Sequence, residues 1–115
     1  MEHILIFHEG EPLQDGRLPL VGSLRWESPR YPITMSYNFE DMPIGYATNV
    51  RREGSDIYAD LEFFSFQYDP NMFKTSIFAT HVVGVKDQES DTIKIEDMIL
   101  RAVTLIPIAA NPIQT

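Results

Sequence analysis

From Asp56 to Phe63 the apolar and polar positions alternate without a break. Ile57, Ala59, Leu61 and Phe63 fall on one face, and Asp56, Tyr58, Asp60 and Glu62 on the other. Successive side chains of a strand point to opposite faces, so this is the pattern of a strand with one face on a core. The preceding stretch, IGYATNVRR, alternates less cleanly, and Glu53, Gly54 and Ser55 separate the two. Gly54 can take the positive φ of a tight connection, so residues 44–63 are predicted to form a β-hairpin.

The same patterning predicts strands at residues 3–7, 20–24, 33–37, 77–86, 92–96 and 99–106. IFATHVVGVK, residues 77–86, is apolar on both faces and is expected to be a central strand covered on both sides. Residues 10–19 hold two glycines, two prolines and an aspartate, and so form a loop. DPNMFKTS, residues 69–76, is the one helical signal: Asp69 suits a cap and Pro70 a first helical position, for about two turns at most. No internal repeat or low-complexity segment interrupts the pattern. The expected fold is mainly β, a small closed or partly open β-barrel of about six to eight strands with one short helix. Residues 1–115 are expected to form a single domain.

Composition narrows the function. The formal net charge of -8, with nine basic residues among 115, argues against a protein that coats nucleic acid. It suits a basic partner surface instead. Arg51 and Arg52 are read as a solvated hairpin tip. The absence of cysteine removes disulfides, thiolate metal sites and thiol nucleophiles, and fits a reducing compartment. MEHILIFHEG lacks a signal-peptide pattern, and no apolar run approaches the ~20 residues of a membrane span. The chain is therefore read as soluble and intracellular where it is made. His3 and His8 have opposite parity in a strand and do not jointly hold a metal. Glu40, Asp41, Asp56, Asp60 and Glu62 are read as a solvated acidic face rather than a calcium site. No cofactor is expected.

Three blocks carry a family resemblance. AVTLIPIAANP, residues 102–112, resembles the closing segment of the phage prohead protease family, whose last core strand runs into a proline and then an Ala-Ala-Asn-Pro tail. ITMSYNFEDMPIGYATNVRREGSDIYADLEFF, residues 33–64, looks like that family's hairpin, in which the strand bearing the catalytic histidine leads into a PIG turn. THVVGV, residues 80–85, lies where the family has its serine strand. The resemblance implies a β-barrel serine protease that processes capsid scaffold. Residue by residue, the catalytic pattern fails: Asn38 stands at the histidine position, Val82 at the serine position, and Ala102 where an acidic residue commonly precedes the last strand's Val-Ser pair. Asn38 cannot take the proton from a serine near pH 7, and Val82 has no nucleophilic atom. The family's interdomain helices are trimmed here to DPNMFKTS.

The reading this supports is a catalytically degenerate member of that fold. It would be a non-catalytic, head-associated structural protein, as a decoration, minor capsid or scaffold-associated component. Such a protein would bind major capsid protein or scaffold, self-associate on the capsid lattice, and reside in the virion after assembly in the host cytoplasm. Aromatic residues on expected loops supply candidate contacts: Trp26 and Tyr31 in RWESPRYP, Phe64 and Phe66 in FFSFQY. Two alternatives stand beside it. One is an active serine-type maturation protease using His81 with Ser76, and the other is a small β-barrel binding or regulatory module unrelated to capsids.

Overall fold

The computed structural model describes residues 1–38 and 40–108. Residues 109–112 of the Ala-Ala-Asn-Pro tail therefore lie outside the described residues. Among the described residues the chain forms eight strands: β1 Ile4–His8, β2 Leu18–Pro19, β3 Leu24–Arg25, β4 Arg30–Met35, β5 Gly45–Glu53, β6 Asp56–Phe63, β7 Phe73–Lys86 and β8 Ile93–Pro107. They belong to one curled sheet shaped as a half-barrel.

β8 organises the sheet. On one flank, β2, β3 and β4 run parallel to it in succession. Leu18 and Pro19 pair with Lys94 and Ile95, Leu24 and Arg25 with Met98 and Ile99, and Ile33, Thr34 and Met35 with Val103, Thr104 and Leu105. On its other flank β7 runs antiparallel for its whole length. Beyond β4 the antiparallel partners β5, β6 and β1 follow in turn. Curling brings the two outer strands together, and the Thr75 hydroxyl of β7 donates to the Leu5 carbonyl of β1. No backbone ladder joins β1 to β7, so the half-barrel has a seam there.

The expected hairpin is β5 and β6. Its alternation is explained by burial: Ile57, Ala59 and Leu61 are core residues, as is Ala47 across from Leu61. β5 alternates less cleanly because its register shifts between Thr48 and Arg51, where Asn49 adopts φ 53. Asn tolerates this left-handed region better than most residues do. At the open end of the hairpin a Cβ on Gly45 would lie 2.1 Å from the Glu62 carbonyl oxygen, so the glycine of PIG is required by close backbone approach. β8 contributes Ile95, Met98, Leu100, Val103 and Leu105 to the core, with Ile6, Leu24 and Ile33 packed from neighbouring strands. Each such fully buried aliphatic side chain contributes about 1.5–3 kcal/mol relative to exposure.

Four expectations change. Residues 69–76 are not helical: the Asp69 carbonyl accepts from the amides of Met72 and Phe73, one turn forms, and β7 begins at Phe73. The Asp69 side chain caps only that turn, accepting from the Asn71 amide at 2.9 Å. The long ladder of β7 on β8 overrides the local helix signal. Residues 77–86 are not a covered central strand, because β7 is an outer strand and Val82, Val83 and Val85 are exposed. The covered central strand is β8, where Ala102, Val103, Thr104 and Leu105 are all buried. The two segments expected at 92–96 and 99–106 are one strand, and the segment expected at 20–24 is mostly a turn through Gly22 with φ 90, flanked by the short strands β2 and β3.

Candidate functional site

The protease geometry can be tested first. His81 sits in a bulge of β7, between the paired residues Thr80 and Val83, with φ 55. Arg101 donates to Thr80 Oγ1 at 2.7 Å and to His81 Nδ1 at 3.3 Å, and Thr80 Oγ1 is 3.0 Å from the same nitrogen. Ser76 Oγ instead lies 2.7 Å from the Tyr37 hydroxyl. Ser76 and His81 stand five positions apart along the strand, roughly 15 Å of chain. The two side chains are engaged at different places and form no nucleophile–base pair. Asn38, which the resemblance would put in place of a catalytic histidine, donates through its side-chain amide to Asp41. Val82 lies exposed on β7, and Ala102 is buried in β8 opposite Phe78.

The four aromatic contact candidates separate into different environments. Tyr31 is a core residue, 5% exposed, and its hydroxyl accepts the Glu27 and Ser28 amides at 2.7 and 2.8 Å. It therefore closes a loop from inside and is corrected from a contact residue to a packing residue. Trp26 is half-buried, with the Arg52 guanidinium 5.1 Å from its ring centre. Phe64 is exposed and meets Tyr46 edge-on at 5.4 Å. Phe66 is half-buried against the core, between Phe63 at 5.6 Å and Phe73 at 5.4 Å.

Phe66 belongs to a groove of about 850 Å³ at the end of β6. Leu61, Phe63, Phe66, Tyr68 and Met72 supply its apolar lining; Glu2, Asp60, Glu62 and Asp69 supply carboxylates, and no lysine or arginine lines it. Tyr68 stacks on Phe63 at 5.5 Å, and burial, followed by the Asp69 charge, raises its phenol above the ordinary value. Asp60 is held below the ordinary carboxylate range by the His3 amide, the Asn49 side chain and Arg51, whose guanidinium is 3.1 Å away. A second groove of similar size follows the seam between β1 and β7. Phe7, Ile77, Val82, Ile95 and Met98 line it, with Lys74, Tyr37 and Ser76 at its polar edge. Thus Val82 and Ser76 share the seam groove, while Asn38, Ala102 and His81 are not among its lining residues.

Sequence reasoning missed the strongest polar cluster. Glu9 is fully buried and accepts the amides of Gly22 and Leu24 at 3.0 and 2.9 Å. Arg52 forks onto both of its carboxylate oxygens at 2.9 and 3.0 Å and donates to the Leu24 carbonyl at 2.6 Å. Arg52 is thus a clamp rather than a solvated hairpin tip. Burial pushes the Glu9 carboxyl upward, but the guanidinium and the two amides outweigh it and the net shift is downward. Next to it, His8 Nδ1 contacts Asp56 and its Nε2 lies 3.3 Å from Glu11, and the Asp56 hydrogen bond leads in raising the imidazole above 6.5. No local signal could have identified Glu9 with Arg52, since 43 residues separate them.

His3 stacks flat on Tyr58 at 3.9 Å and accepts from Arg51. Among the described residues no group of three His, Asp or Glu side chains is placed to hold a metal ion, and no helix is long and apolar enough to cross a membrane. The chain matches no protein-family model, no curated protein and no solved structure.

Proposed function

We propose that the chain is a non-catalytic binding module of a phage head, built on a degenerate prohead-protease-like barrel and bound to capsid protein or scaffold. The observation that carries this reading is the mismatch between motif and chemistry. The PIG hairpin and the β8 strand lie in one curled sheet, yet Asn38, Val82 and Ala102 offer neither a proton acceptor nor an attacking oxygen. The alternative candidate pair, Ser76 and His81, is held by Tyr37 and by Arg101 with Thr80. An open aromatic groove and an exposed Phe64 favour binding as the activity. On a symmetric capsid lattice, weak contacts repeated many times give stable attachment, and neighbouring copies are brought into contact.

Mass spectrometry of purified virions tests the reading, with copy number taken relative to major capsid protein. Hundreds of copies identify a decoration protein, and a few dozen or fewer identify a minor or internal component. Absence of the chain from both proheads and virions contradicts it.

A further inference from the structure

The groove at the end of β6 combines an aromatic floor with a rim of four carboxylates, alongside which the Met1 α-ammonium donates to the Leu61 carbonyl. Leu61 is buried beneath it, and Phe63, Phe66 and Tyr68 are half-buried side by side. Asp60 is compensated by Arg51, but among the described residues neither Glu2 nor Glu62 has a basic side chain within ion-pair distance. Both glutamates are exposed. A net charge of -8 adds a long-range field of the same sign. Phosphate-bearing ligands are disfavoured by such a site. Arginine and lysine are favoured, because their stems lie on apolar surface while their heads reach carboxylates and aromatic faces.

We propose that this groove captures an extended segment of a partner protein in which arginine or lysine alternates with apolar residues. The proposal rests on the binding-module reading above and names the chemistry of its partner. Alternation follows from the two-sided environment. Neighbouring side chains of an extended segment point in opposite directions, so one set turns toward Phe66 and Tyr68 while the other turns toward Glu2 and Glu62. A volume of about 850 Å³ accommodates a few residues of such a segment. Electrostatic attraction governs capture, and the aromatic floor governs retention.

The test uses the full chain and a fluorescein-labelled, end-capped peptide alternating Arg and Leu, with a Glu–Leu peptide as the charge-inverted control. Fluorescence anisotropy should show saturable one-to-one binding of the Arg–Leu peptide that weakens with added salt, and none of the control. Glu62→Lys should weaken binding about ten-fold or more, and Glu2→Lys should act in the same direction. Both positions are exposed, so unchanged melting temperatures verify that the variants fold. Equal binding of the two peptides, no binding of either, or an unchanged affinity in Glu62→Lys overturns the proposal. Virion abundance separates the two levels. A chain present in particles that ignores the peptide refutes the groove assignment alone. A chain that binds the peptide but is absent from particles refutes the head assignment alone.

Discussion

The two flanks of β8 are built in opposite ways. On the flank shared with β2, β3 and β4, the chain from residue 18 to residue 35 climbs beside β8, and the loops between these strands are tied down from inside. Tyr31 holds the Glu27 and Ser28 amides, and Glu9 holds the Gly22 and Leu24 amides while Arg52 neutralises it. On the β7 flank the ladder is interrupted three times, at Phe78/Ala79, Thr80/Val83 and Val83/Gly84. Its far end exposes Val82, Val83 and Val85. Bulges of this kind twist an edge and discourage indiscriminate pairing with other strands. The first flank is pinned by buried polar side chains while the far end of the second leaves apolar surface exposed, so substitutions should discriminate between them.

Leu105→Ala, at a fully buried position on β8 next to Met35, should cost the most, about 3 kcal/mol, read as a lowered urea midpoint. Arg52→Ala should follow closely at about 3 kcal/mol, the low end for breaking a buried pair, because two backbone amides still hold the Glu9 carboxylate. Its loss should also raise the Glu9 pKa. In the intact protein the downward-shifted Glu9 contributes stability that is present above pH 4.5 and lost as pH falls through its folded-state value. The Arg52→Ala variant should therefore show a shallower loss of stability than the wild type as pH falls below 4.5.

His8 sharpens the comparison from the basic side. Its pKa is raised in the fold, chiefly by Asp56, so its contribution is complete below pH 6.5 and disappears as pH rises through the folded-state value. Melting temperature should fall across that window in the wild type, and His8→Gln should flatten the slope. Val83→Thr on the exposed flank should change stability by less than about 0.5 kcal/mol. A large loss there would show that the β7 end is packed as firmly as the opposite flank, and the contrast would collapse.

The parts of this arrangement legible in the sequence are those specified locally. Residues 44–63 announce a hairpin because alternation and Gly54 lie within one short stretch. β7 was harder, because an apolar run is compatible with a covered strand or with an exposed edge, and only the partners decide. DPNMFKTS carries Asp, Pro and Asn, which cap helices and build turns equally well, and the β8 ladder selected the turn. The length of β8 was hidden by Glu96 and Asp97, polar residues in mid-strand, the second satisfied by Arg25 at 2.6 Å. Of the contact candidates, Phe64 lies exposed against Tyr46, while Phe66 marks a groove that FFSFQY could suggest but not shape. Its carboxylate rim draws Glu2 from the opposite end of the sequence. Tyr31 was misplaced because a buried tyrosine whose hydroxyl binds backbone amides looks, in sequence, like any aromatic on a proline-rich loop.

The central proposal is that this half-barrel binds and does not cut. Incubation of the purified chain with a fluorophosphonate probe, followed by intact-mass measurement, tests it directly. The account predicts no added mass at any protein concentration. Stoichiometric labelling that disappears in both Ser76→Ala and His81→Ala would contradict it.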